Sequence, residues 1–111
     1  MKYMFLIYDD QASEAARGED LMPAYGAFGD EVTKAGVIRD GNRLHPASSA
    51  TTVRVRGGKA ATTDGPFAET KEQLGGYYIL DCKDLDEAIA YAAKIPTAKF
   101  GSVEVRPIWE M

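Results

Sequence analysis

Several side chains able to move a proton gather in one stretch of this 111-residue chain, TTDGPFAETKEQLGGYY, residues 62–78. Asp64 stands near its start, before Gly65 and Pro66. An aspartate in that position accepts backbone N–H groups and shapes a turn. At a strand end beside a cleft, the same carboxylate acts as a base or anchors a ligand. The two roles are compatible. Glu69, Lys71 and Glu72 follow as a charge cluster. Such clusters form a solvated face, or turn one carboxylate inward with the lysine as counter-ion and so hold an anionic ligand. Phe67 reads as a core or cleft-wall ring. Gly75-Gly76 reads as a bend that also lets a ligand approach the backbone.

His45 is the sole histidine, and imidazole is the side chain that ordinarily titrates near neutrality. It sits in the loop HPASSA, an exposed setting unless that loop folds over a cleft. Folded over, His45 is the natural general base, with Asp64 to orient it. Arg54 lies on a hairpin surface and can also clamp a carboxylate. Tyr8, Tyr77 and Tyr78 suit walls and interfaces, where an apolar ring with a polar tip fits. Tyr3 and Trp109 read as core, and Cys82 as a small buried apolar residue. One cysteine and one histidine leave no internal disulfide and no Cys-based or His-rich metal set. No metal and no cofactor are expected.

These residues need a frame. Residues 2–8 are a nearly unbroken apolar run, read as a strand buried on both faces. Residues 9–20 are polar and small, a loop with at most one helical turn. Leu21, Tyr25, Phe28, Val32 and Ala35 share one helical face, with Asp20 as cap, Pro23 in the first turn and Gly36 as the stop. Residues 37–44 read as a strand or extended arm that turns at Asp40-Gly41-Asn42. Residues 51–56 and 59–63 form a hairpin about Gly57-Gly58. That register sets Arg54 opposite Ala61 and Arg56 opposite Lys59, so this face is wet.

Residues 76–82 are another strand. Asp84 caps a second helix, with Glu87 three residues on to complete a capping box. Leu85, Ala88, Ile89 and Ala92 give that helix an apolar face, and Pro96 stops it. Residues 102–109 are a last strand, with Val103, Val105 and Trp109 on one side and Pro107 marking an edge or a strand end. The order predicts one α+β domain over residues 1–111, a ferredoxin-like sandwich with an added β-hairpin and both helices on one face. The other sheet face is then open although its first strand is apolar there. A second copy covers it most simply, so a homodimer is expected.

Bulk properties narrow the function classes. Lys and Arg number 13 against 17 Asp and Glu, which argues against direct nucleic-acid binding, since phosphates demand a basic face. No apolar run approaches membrane-spanning length, and the opening MKYMFLIY lacks a signal-peptide core, so the expected location is cytoplasmic.

Three segments, MKYMFLIYDD, TTVRVRGGKAATTDGPFAETKEQLGGYYIL and DLDEAIAYAAKIP, together resemble the YCII-related family, and within it the branch with a DGPF motif. The resemblance covers most of the chain in the same order and implies a dimeric α/β barrel. It implies no single activity. A related member is similar to dehydrochlorinases of chlorinated hydroxyhydroquinones, and genes of the DGPF branch often lie beside extracytoplasmic-function sigma factors. The enzyme-like relatives carry a histidine after a Pro-Ala step on the first helix, paired with an aspartate. Here Pro23-Ala24 is followed by Tyr25. A phenol is a poor base at neutral pH but still donates a hydrogen bond to an oxyanion.

The function expected is therefore binding of a small molecule or an accessory partner at a cleft bordered by the DGPF turn. Its ligand contacts would come from Arg54, Tyr8, Phe67, Glu69, Lys71 and Tyr77. The alternative is a cofactor-free lyase or isomerase in which Asp64, with His45 or Tyr25, transfers a proton.

Overall fold

A computed structural model describes residues 1–10, 12 and 20–110 of the chain. The loop read over residues 9–20 therefore lies mostly outside the described residues. Four strands form the main sheet: β1 (Lys2–Asp9), β2 (Ile38–Arg43), β5 (Gln73–Asp81) and β6 (Ser102–Pro107), in the order β2-β5-β1-β6. All three neighbouring pairs are antiparallel. Helices α1 (Met22–Lys34) and α2 (Leu85–Lys94) complete a ferredoxin-like α+β fold. Strands β3 (Thr51–Arg56) and β4 (Lys59–Asp64) form a separate two-stranded sheet.

Strand parity places the core. Tyr3, Phe5 and Ile7 of β1 are buried on the helix side, with Leu80 beside them on β5. Phe28 and Val32 of α1, and Ala88 and Ala92 of α2, close over that face together with Cys82 and Ile95. Phe28 meets Tyr78 edge-on, with ring centroids 5.2 Å apart. Burying rings and branched side chains in this way contributes roughly 1.5–3 kcal/mol each. Met4, Leu6 and Tyr8 point to the opposite face and are only half-buried, so β1 is not enclosed on both sides as its composition suggests.

Each helix carries its own start signal. Asp20 Oδ1 accepts the Met22 N–H at 3.0 Å ahead of α1. In α2 the Asp84 carboxylate accepts the Glu87 N–H at 2.9 Å, while Glu87 reaches back to the Lys83 N–H at 3.1 Å. The reciprocal bond of a capping box thus falls one residue earlier than on the cap itself.

Three local expectations are corrected. Asp40-Gly41-Asn42 does not turn; it continues β2, with a register irregularity between Ile38 and Asp40. A side chain at Gly41 would place its Cβ 2.6 Å from the Tyr78 ring, so the glycine serves close packing rather than reversal. Trp109 lies beyond the end of β6 and is 89% exposed, not core. Phe67 is 80% exposed and walls nothing, because the chain after Pro66 runs over the surface before β5 begins.

Candidate functional site

A cleft of about 1020 Å³ opens on the side of the sheet that carries the helices. Its floor is Ile7, Gly75 and Gly76 from the two central strands. Leu21, Met22 and Tyr25 from the start of α1 form one wall. Residues 41–46, running from β2 into the loop with His45 and Pro46, form the other. Tyr78 adds a ring, Tyr77 borders the cleft although its hydroxyl bonds on the opposite face, and Asp9 and Thr97 bring polar groups from the buried end.

Parity explains Asp9. It continues the series Tyr3, Phe5, Ile7 and therefore faces inward, 7% exposed. Its carboxylate accepts the Asp10 N–H at 2.9 Å. Thr97, 6% exposed, stands in the short 3₁₀ turn Pro96–Lys99 after α2. Its hydroxyl lies 2.6 Å from the Tyr25 hydroxyl, joining the start of α1 to the end of the α2 segment. Either oxygen can donate. Burial first, and the neighbouring Tyr25 second, push the Tyr78 phenol above its ordinary range. Tyr78 therefore presents a neutral hydroxyl to the cleft at physiological pH.

Tyr25, His45 and Tyr77 thus line one cleft. The remaining residues expected at a site lie elsewhere. Asp64 ends β4, opposite Thr51, and is exposed. No hydrogen bond joins it to His45 or Tyr25 among the described residues. The DGPF turn acts on the backbone instead. Gly65, at φ 102°, donates its N–H to Ala50 O at 2.7 Å, and its carbonyl accepts the Thr52 hydroxyl at 2.9 Å. These two bonds seal the base of the β3–β4 hairpin.

Arg54 is exposed on β3, and Glu69 and Lys71 are exposed after the turn. Glu72 accepts the Ser102 hydroxyl at 2.8 Å. Tyr8 stands half-buried on the face of the sheet away from the helices. On that face the Tyr77 hydroxyl donates to Asp40 Oδ2 at 3.1 Å and accepts from Asn42 Nδ2 at 2.9 Å.

Asp9, Thr97 and Arg43 are the cleft residues that sequence reasoning passed over. For Asp9 the signal was the parity of β1. For Thr97 there was none, since its place depends on where the chain travels after α2.

The arrangement can hold a ring between tyrosines and meet its polar substituents with hydroxyls, an imidazole and the Arg43 guanidinium. Apolar walls with a few placed polar groups are the composition of which small-molecule sites are generally built. The family model of the YCII-related domain matches residues 1–111. An uncharacterised protein of Rhizobium meliloti (strain 1021) is 40% identical over 114 residues, spanning 97% of this chain and 92% of its own length. With both matches running the length of the sheet, the helices and the cleft, the chain belongs to the YCII-related family.

Proposed function

We propose that the protein binds a small oxygenated ring compound in the cleft between α1, β2 and β5. One observation carries this reading: Tyr25, Tyr78, His45 and Arg43 line a single cavity of about 1020 Å³ that also holds the buried polar residues Asp9 and Thr97. A cavity of that size takes a drug-sized or metabolite-sized molecule. The bound form is a homodimer paired through the open sheet face of Met4, Leu6, Tyr8 and Ile79, whose apolar side chains are half-buried and lie opposite the face that α1 and α2 cover among the described residues. A cytoplasmic location belongs to the same reading. So does the possibility of an accessory protein partner in place of a metabolite.

A thermal-shift screen of phenols and aromatic carboxylates tests the binding reading. The expected hit stabilises wild type, and both Tyr25→Phe and His45→Ala weaken it. A hit that stabilises all three proteins equally would place the ligand outside this cleft and refute the assignment.

A second reading, a cofactor-free lyase or isomerase, draws on His45 and Tyr25 lining the same cleft. His45 would take a proton from carbon and Tyr25 would donate to the negative charge that develops. Asp64 stands exposed at the end of the hairpin, outside the lining of this cleft, so the reading uses His45 and Tyr25. Incubating the bound compound in D₂O decides between the readings. Deuterium entering the compound with wild type but not with His45→Ala supports proton transfer, and no exchange with either leaves binding alone.

A further inference from the structure

The β3–β4 hairpin is an arm exposed along its length, with no seat among the described residues of its own copy. Every residue from 53 to 64 is exposed, and Val53 and Val55 are each 59% exposed. An isolated two-stranded hairpin is marginal in water, so a stable arm needs a surface to lie on. Its two faces differ. The register pairs Val53 with Thr62 and Val55 with Ala60, which puts both valines and the alanine on one face. Arg54, Arg56 and Lys59 share the other. The base is fixed by the Gly65–Ala50 and Thr52–Gly65 bonds, so the arm projects in a set direction.

Charge points to the occupant. Residues 51–64 carry three cations against Asp64, a net +2, so the rest of this −4 chain carries −6. The arm is basic and the body it would meet in a second copy is acidic. The open sheet face provides both features needed. Met4, Leu6 and Ile79 offer an apolar stripe, and Asp40, Glu72 and Glu104 stand around it. Glu104 is shared with Arg106, but the other two carboxylates meet only hydroxyl, amide or backbone N–H groups among the contacts described.

We propose that each copy lays its β3–β4 arm on the edge of the other copy's open sheet face. Val53, Val55 and Ala60 face inward, and Arg54 and Arg56 reach past the edge toward the carboxylates. The contact is reciprocal, as a two-fold dimer requires, so it occurs twice, once for each arm. Opposite net charges steer the two copies together and fix which face the arm meets. This inference rests on the pairing through the open face and adds a second contact to it.

Sedimentation equilibrium tests it on wild type, Val53→Ser with Val55→Ser, Arg54→Glu with Arg56→Glu, and Leu6→Glu. The arm substitutions are all at exposed positions, so the fold should survive, and circular dichroism checks that. The expected result is a dimer whose dissociation constant rises about tenfold or more in each arm pair. In the arginine pair the difference should shrink as salt screens the contact. Hydrogen exchange gives a variant-free check, with arm amides exchanging more slowly in the dimer than in diluted monomer. A wild-type dimer that Leu6→Glu breaks, but that neither arm pair weakens, overturns the arm and keeps the sheet pairing. A wild-type monomer with freely exchanging arm amides overturns both.

Discussion

The Tyr25 hydroxyl and the Thr97 hydroxyl are the smallest unit on which the cleft depends. They meet 72 residues apart in sequence, at 2.6 Å, with Thr97 almost fully buried. Tyr25→Phe removes this part-buried bond, so urea unfolding should show a loss of about 1 kcal/mol. Thr97→Val should cost a similar amount, and the double change should cost less than the sum because the two changes share the bond between them. Cys82 is a second residue with a measurable signature. Burial, then the nearby carboxylates of Glu87 and Asp81, hold its thiol above the ordinary range. The folded state therefore keeps a proton that the unfolded chain releases. Stability from this source is intact below the ordinary thiol range and falls as pH rises through and beyond it. Urea midpoints from neutral pH to about pH 10 should decline less steeply in Cys82→Ala than in wild type.

At the scale of elements, the helix α2 is set by one cap. Asp84→Ala removes the bond to the Glu87 N–H and should lower stability by about 1 kcal/mol, read as a shift in urea midpoint. That cap and the hairpin register follow from local rules, and the structure agrees with them: Arg54 opposes Ala61. The helix faces agree only in part: Phe28, Val32, Ala88 and Ala92 are buried, whereas Leu85 and Ile89, read on the apolar face of α2, are 50% and 52% exposed, and Ala35 at the end of α1 is exposed as well. Features fixed by distant neighbours were harder to read. Asp40-Gly41-Asn42 has turn composition, yet β5 pairs with it and the Tyr78 ring occupies the space a side chain at Gly41 would need. Gly41→Ala should therefore displace that ring and disturb the cleft wall, lowering both the melting temperature and ligand affinity. The cleft itself was only half visible. Tyr25 and His45 could be singled out by type, but their meeting with Asp9 and Thr97 depends on four separate segments converging. The DGPF turn drew attention as chemistry, whereas its backbone bonds make it the hinge pin of the hairpin.

The whole molecule is a thin body, 47 × 42 × 18 Å, with a radius of gyration of 15.8 Å. A compact chain of this length would have a radius near ~13 Å. The excess fits a projecting hairpin and a sheet that, among the described residues, carries helices on one face only. Pairing through that face would double the thickness and bury the stripe of Met4, Leu6 and Ile79. Leu6→Glu should then convert a dimer to monomer while leaving the secondary structure in place, as light scattering and circular dichroism would report. The lone tryptophan, Trp109, has a practical meaning at this scale. At 89% exposure its indole already sits in water in the folded state, so its emission should be red-shifted from the outset and nearly blind to denaturation. Any blue shift seen on concentrating the protein or adding a compound would therefore report something settling onto the carboxyl-terminal tail, a built-in optical probe of assembly rather than of folding.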